Sequence, residues 1–333
     1  MELISKVIGV KDKLIALNGD SKFENSKKRA IHNFKSFLLK FFRFLLLVSV
    51  CFVIITPMLT ILVESFFSNS DVYNPAVYMI PLQATTERYT IAIEVMDYFT
   101  VLLKTVGYTI ALMAIQLGIC SMVGYGFARF KFPFRNFLFA CVIITIVIPP
   151  NTIMLPLYQS FREFDILGII NGTTGGTLNF LKTTIPMYLL TILGSGLRSG
   201  LYIYIFNQFF RGLPKEIEEA AFIDGAGPWY TYFRIMLVNS VPAIITVAVF
   251  STVWQYNDLF YSQLFNMPAA SLLSRQLESL QVNVQFMKEI KDPNISQIYL
   301  YAGIILVIIP IILIYVGLQK YFMEGVERSG IVG

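Results

Sequence analysis

Charge is what this chain has least of. Of its 333 residues only 14% are charged and 56% are hydrophobic, whereas a soluble globular domain carries about 25% charged residues. So little charge cannot cover a water-facing surface, which disfavours a soluble globular enzyme, and the apolar excess equally disfavours extended disorder. Histidine is nearly absent. The single one, His32, lies in a basic tail, which leaves no material for histidine-based catalysis or metal binding. Three cysteines, Cys51, Cys120 and Cys141, sit singly inside apolar runs, so neither a disulfide framework nor a cysteine zinc site is expected. No GxxxxGK(S/T) run occurs, and the chain therefore has no P-loop of its own for ATP. No catalytic residue, metal ligand or cofactor is assigned.

What is there is long apolar runs. A helix that crosses a bilayer needs about 20 mostly apolar residues. Six stretches qualify, near residues 41–63, 101–127, 137–158, 184–206, 237–256 and 298–318. Pro149 and Pro150 interrupt the third, Pro242 stands near the start of the fifth, and Pro310 lies inside the sixth. Backbone groups freed by these prolines must find partners within a bundle, because lipid offers none. The reading is an all-α membrane protein with six transmembrane helices. The first run starts too late, is too long and is followed by too many others for a signal peptide. Lys27, Lys28 and Arg29 read as juxtamembrane rather than nucleic-acid-binding.

Lysine and arginine set the orientation. With the N-terminus cytoplasmic, the inner segments 1–43, 128–136, 207–236 and 319–333 hold 18 of the 26 Lys and Arg residues, and the outer loops 64–100, 159–183 and 257–296 hold 6. Positive residues favour the cytoplasmic side, so both termini are expected inside, with Arg129, Lys131 and Arg135 as anchors. The spans show no internal duplication, which disfavours an inverted-repeat transporter. The expected organisation is a tail over 1–36, a first helix and outer loop over 37–99, a five-helix body over 100–320, and a second tail over 321–333.

The inner loop LPKEIEEAAFIDGAGPWYTYFRIML, residues 213–237, carries most information. Pro214 suits the first turn of a helix, and Glu216, Glu218 and Glu219 put negative charge where the helix dipole favours it. Leu213, Ile217, Ala220, Ala221 and Asp224 share one face at helical spacing. Gly225 breaks this helix and Pro228 opens a second that runs into the fifth span. The loop is thus a helix–glycine–helix elbow. It either docks a protein or lies on lipid headgroups; three glutamates at its start argue against an anionic leaflet.

This segment resembles the EAA loop of the permease subunits of binding-protein-dependent ABC importers. The pattern is Glu-Ala-Ala, three residues, Gly, nine residues, Ile, one residue, Leu-Pro. Here Glu219, Ala220, Ala221, Gly225, Ile235 and Leu237 are in register, and Val238 replaces the final proline. The resemblance runs from about Thr100 to the C-terminus and points to the carbohydrate-uptake branch, the maltose G-type permease. MLPLYQSFREFDILGIING (154–172), WQYNDLF (254–260) and MEGVERSGIVG (323–333) are similar to segments of that branch. It implies a MetI-like fold in a bacterial cytoplasmic membrane and a division of labour. A heterodimer with a second homologous permease forms the pore. A cytoplasmic ABC ATPase dimer supplies the energy, and an extracellular solute-binding protein delivers a sugar or oligosaccharide. The elbow, with Glu219, Ala220, Ala221, Asp224, Gly225, Ile235 and Leu237, would seat in the ATPase, with Glu219 against a cationic partner. A non-sugar solute such as an amino acid or peptide is the alternative cargo. Membrane lipid is a partner and nucleic acid is not.

Two further groups stand out. Arg198, in LGSGLRSG, lies about 16 Å from the inner end of its span at 1.5 Å per residue. An arginine at that depth should face the bundle interior, either pairing with a carbonyl or carboxylate where Gly194, Gly196 and Gly200 let helices close in, or lining the pathway. Trp254, Tyr256, Asn257, Asp258 and Tyr261 cluster at the outer end of the fifth span, as an interfacial aromatic belt or as a sugar-facing wall. Gly107, Gly124 and Gly126 read as helix-packing residues.

Overall fold

The computed structural model describes residues 2–166 and 168–330, with the backbone alone described for 2–31, 174, 318 and 320–330. The chain divides into two compact units, Met1–Ile61 and Leu62–Gly333. The first belongs to one long helix, α1 (Glu2–Glu64). Its apolar part, from His32, is long enough to cross a membrane. Phe37, Phe52, Val53 and Ile54 stand exposed on it, as expected of side chains whose solvent is lipid.

The second unit is helical throughout, and its only strand-like feature among the described residues is one antiparallel bridge, Phe164 to Leu178. In chain order its helices are α2 (Asn69–Val72), α3 (Glu87–Val95), α4 (Tyr98–Arg129), α5 (Arg135–Val147), α6 (Met154–Arg162), α7 (Ile169–Thr174), α8 (Ile185–Ile192), α9 (Ser199–Gly212), α10 (Glu216–Ile223), α11 (Pro228–Tyr230), α12 (Leu237–Asn239), α13 (Val241–Tyr256), α14 (Phe260–Leu264), α15 (Leu273–Met287) and α16 (Pro293–Gly330). A π-helical turn, Thr231–Met236, joins α11 to α12. The last three residues of the expected tail 321–333 lie outside the described residues.

Six spans were the expectation, the third interrupted by Pro149 and Pro150, and the structure breaks more of them. Among the described residues three helices are long and apolar enough to cross a membrane alone, in α1, α4 and α16. Two more candidates are bent pairs. Arg135–Val147 meets Pro150–Arg162 at 103°, and Pro228–Asn239 meets Val241–Tyr256 at 77°. Proline causes both bends. Pro149 and Pro150 donate no N–H and follow an extended Ile148, and Pro242 sits in the first turn of α13, where a missing N–H costs nothing. The expected fourth span, 184–206, is no single helix. α8 and α9 are about 12 and 21 Å long at 1.5 Å per residue, too short alone for a hydrocarbon core of about 30 Å. Between them Gly194 and Arg198 take left-handed backbone, φ 72° and 61°.

The central post is α4, which packs against α8, α9 and α13. Its tightest crossing is with α9 at Gly124, where a Cβ would stand 2.6 Å from Cβ of Phe206. Gly107 and Gly126 face open space instead. At one end of α4, α3 and α15 cover α16 around Met96, Val101, Tyr256, Leu280, Tyr299 and Ala302. At the other, Tyr125, Phe206, Phe210, Tyr232 and Met236 bury the root of the elbow. Much of segments 64–100 and 257–296, expected as outer loops, is therefore folded structure. Arg88 of α3 is buried there, donating to the Phe67 carbonyl, Asn69 Oδ1 and the Tyr299 hydroxyl, with its guanidinium carbon 4.6 Å over the Tyr299 ring.

Candidate functional site

The elbow begins with α10. Its inward face is Glu218 and Ala221, with Ile217 half-buried; Ala220 and Asp224 point outward. The expected face through Leu213, Ile217, Ala220, Ala221 and Asp224 is thus rotated, and Glu218 is the cause. Its carboxylate accepts the Tyr125 hydroxyl proton at 2.7 Å and pairs with Nε of Arg129 at 3.1 Å. Arg129 also donates from Nη2 to the Leu213 carbonyl at 2.7 Å. Both side chains of the pair are at most 10% exposed. Tyr125 and Arg129, in the C-terminal turns of α4, are thereby tied to one carboxylate of the elbow, and Arg129 carries the tie on to Leu213. Buried charge is tolerated only when so paired and hydrogen-bonded.

At the far end of α10 the N–H of Ala226 donates to Ala221 at 2.9 Å and that of Gly225 to Phe222 at 3.1 Å. These are the two bonds of a Schellman turn, which needs a left-handed residue at Gly225; its φ is 81°. A Cβ there would meet nothing within 4 Å, so the backbone conformation, not space, is what calls for glycine. Pro228 opens the second arm. Tyr232 and Met236 are buried and Ile235 and Leu237 half-buried, and the Tyr232 hydroxyl lies 2.7 Å from Ser121 Oγ of α4. The outer rim of the elbow is bare: Phe222, Ile223, Trp229, Tyr230 and Phe233 are exposed, Ile223 by 85%, beside exposed Glu219 and Ala220. An apolar rim of this kind marks a contact surface.

The second feature is the break between α8 and α9. The carbonyl of Leu197 is taken by Nε2 of Gln116, at 2.7 Å, and Oε1 of Gln116 accepts from Ser251 Oγ at 2.5 Å and from Gln255 Nε2 at 3.3 Å. One buried amide of α4 thus ties the break to α13. Sequence reasoning missed Gln116; the signal was a lone amide in the middle of an apolar run. Arg198 makes no ion pair among the described residues, so the expected pairing with a carboxylate is absent. Its guanidinium carbon lies 4.3 Å over the Trp254 ring, at a cavity of about 410 Å³ lined by Thr145, Pro149, Ser195, Arg198, Ser199 and Tyr261 among others.

Of the other expected pathway residues, Tyr256 and Asp258 serve the fold. Tyr256 is 2% exposed and donates to the Val307 carbonyl at 2.9 Å. Asp258 is 6% exposed, and its carboxylate accepts backbone N–H groups of Tyr261 and Ser262 at 3.3 and 3.1 Å, fastening α14. Asn257 is exposed and donates to Val253 of its own helix at 3.0 Å. Only Arg198 and Trp254 remain together and open. Among the described residues no group of three His, Cys, Asp or Glu side chains could hold a metal.

Residues 117–328 match the family described as the binding-protein-dependent transport system inner membrane component. The chain belongs to that family. It is similar to the arabinooligosaccharides transport system permease protein AraQ of Halalkalibacterium halodurans, 26% identical over 85% of this chain and 93% of the relative. It is also similar to the diacetylchitobiose uptake system permease protein NgcG of Streptomyces coelicolor, 25% identical over 83% and 84%, and to the sn-glycerol-3-phosphate transport system permease protein UgpE of Brucella suis, 26% identical over 86% and 95%. Among solved structures, a bacterial ABC transporter involved in the import of the acidic polysaccharide alginate shares the fold, with TM-score 0.69 and 18% identity over 86% of this chain and 96% of that one. The chain is a multi-pass membrane permease of the ABC importer class, a transport subunit rather than an enzyme. Its class works with an ATPase and a solute-binding protein.

Proposed function

We propose that this chain is the pore-forming subunit through which a bacterial importer moves a sugar or oligosaccharide. It pairs with a second homologous permease, takes its cargo from the extracellular binding protein, and has both termini in the cytoplasm as tails over 1–36 and 321–333. The relatives named for arabinooligosaccharides and diacetylchitobiose support the cargo class. A phosphorylated polyol is the second reading, favoured by the relative named for sn-glycerol-3-phosphate.

One observation carries the coupling role. α10 spends Glu218 and Ala221 on the body of the chain and leaves Glu219, Ala220 and the apolar rim free. The elbow is held at its root and open at its tip, as a part that transmits force to a partner must be. We place Glu219 against a cation of the ATPase, with Asp224, Gly225, Ile235 and Leu237 shaping the seat around it. Truncating one partner of a desolvated interfacial charge pair costs about 2–5 kcal/mol. Glu219→Ala should therefore insert and assemble normally yet lose uptake and binding-protein stimulation of ATPase activity in proteoliposomes. Wild-type uptake by this variant would make the elbow a lipid-surface helix. For orientation, single cysteines placed at Ser21 and Ser329 in a cysteine-free background should resist an impermeant label in intact cells, and one at Ser279 should react.

A further inference from the structure

We propose that the cavity at the break in the fourth span binds the anionic group, a carboxylate or a phosphate, of a polyhydroxylated substrate. Arg198 is the counter-ion and Trp254 the platform for the adjoining ring. The proposal rests on the importer reading above and goes beyond it by naming the site and the residues that read an anionic group on the cargo.

An arginine inside a membrane protein is costly and is almost always paired. Arg88 and Arg129 obey that rule. Arg88 has three hydrogen-bond acceptors, and Arg129 has Glu218 and the Leu213 carbonyl. Arg198 has neither a carboxylate nor a carbonyl within reach among the described residues, and it is exposed at a cavity of about 410 Å³, within the size range of small-molecule sites. No acidic side chain lines that cavity. Asp258 cannot supply the missing charge, because it is buried and its two oxygens already take the N–H groups of Tyr261 and Ser262. Among the described residues of this chain, none compensates the positive charge of Arg198 at this site.

Arg198 is not needed to hold the break together, since Gln116 takes the freed Leu197 carbonyl and bridges to Ser251 and Gln255. Its guanidinium instead lies over the Trp254 ring, whose face attracts cations. That contact orients the guanidinium and leaves its N–H fork free for an oxyanion, the geometry at which arginine excels. Trp254 stands beside the cavity rather than in its lining, joined to it through Arg198, and remains 43% exposed to meet the apolar face of a sugar ring. Thr145, Ser195, Ser199 and Tyr261 add hydroxyl groups to the wall.

The test uses the assembled importer in detergent, with the partner permease and ATPase present and the binding protein omitted. Trigalacturonate, galactose 6-phosphate and neutral galactotriose are titrated as probes. An acidic probe should bind about tenfold or more tightly than galactotriose, as expected for a charge-assisted contact. Binding of trigalacturonate alone identifies a carboxylate, and binding of galactose 6-phosphate alone a phosphate. Arg198→Gln should remove the preference, Arg198→Lys should keep most of it, and Trp254→Leu should weaken all binding while leaving the preference. Should Arg198→Gln fail to assemble, the preference of the unsubstituted importer among the three probes decides, because Arg198→Lys and Trp254→Leu both keep the cation. Equal affinity for all three probes, no binding of any, or an undiminished preference in Arg198→Gln overturns the proposal. The importer reading is read separately, from binding-protein-stimulated ATPase activity and uptake in proteoliposomes. If these persist while the acidic preference is absent, that reading stands and this one falls.

Discussion

Two arginines in this chain lie over aromatic rings, and they end differently. Where α3 meets α16, Arg88 covers Tyr299 at 4.6 Å, is 2% exposed, and has all sides of its guanidinium engaged by protein. At the break in the fourth span, Arg198 covers Trp254 at 4.3 Å and is open to a cavity. The same ring contact thus closes a structural joint in one place and stops short of closure in the other. A charge that the fold needs is saturated by the fold. A charge left unsaturated in so apolar a chain is, on the reading proposed above, held for the cargo. The glutamates of the elbow repeat the contrast, with Glu218 buried in an ion pair and its neighbour Glu219 exposed.

The comparison can be broken by substitution. The largest effect is expected from Glu218→Ala, which strands Arg129 and the Tyr125 hydroxyl in a buried site; breaking such a pair costs about 3–5 kcal/mol. The thermal unfolding midpoint of the purified chain should fall sharply, and Glu218→Ala combined with Arg129→Leu should recover part of the loss. No recovery would mean that the pair is not a unit. Next is Arg88→Leu, which leaves the Phe67 carbonyl and Asn69 without a donor. A buried group so orphaned costs about 1–3 kcal/mol, and the same midpoint should drop. Gly225→Val forces a branched residue into left-handed backbone, a strain of about 1–3 kcal/mol. Since α10 is short and exposed, that strain should appear as lost uptake in proteoliposomes with only a small change in the midpoint. Gly225→Asn, which tolerates that backbone, should keep most uptake. The smallest effect on stability is expected from Arg198→Gln, within about 0.5 kcal/mol as for an exposed side chain whose ring contact is with the likewise exposed Trp254. A drop as large as that of Arg88→Leu would make the two arginines alike and erase the distinction.

Much of the fold was legible because its signals are local. Apolar runs, prolines and the Glu-Ala-Ala to Gly225 spacing are chemistry within one stretch of chain, and a Schellman turn at Gly225 follows from a helix that ends in glycine. The break at residues 193–198 was not legible as a break. LGSGLRSG reads as a close-packing stretch, because small residues serve tight packing and left-handed turns equally well. The inward face of α10 was misjudged for a different reason. Periodicity ranks Ala220 and Asp224 with Ile217, and only an arginine on another helix makes Glu218 the residue that turns in. Tyr256 and Asp258 looked like binding groups since aromatic and acidic residues at a span's end suit a sugar, yet both are consumed by partners far away or around a corner.

The sequence by itself determined that this chain lives in a membrane, that it is built of helices, and where its elbow bends. Those outcomes depend on composition and on spacings of a few residues, which the chain carries wherever it folds. Only the tertiary structure decided which charges are spent and which are free. Whether Glu218 meets Arg129, Gln116 meets Leu197, or Arg198 meets a carboxylate depends on groups 81 to 89 residues apart, or on a group that is not there. Such pairings are settled by how helices cross, and a crossing has no address in a single stretch of sequence.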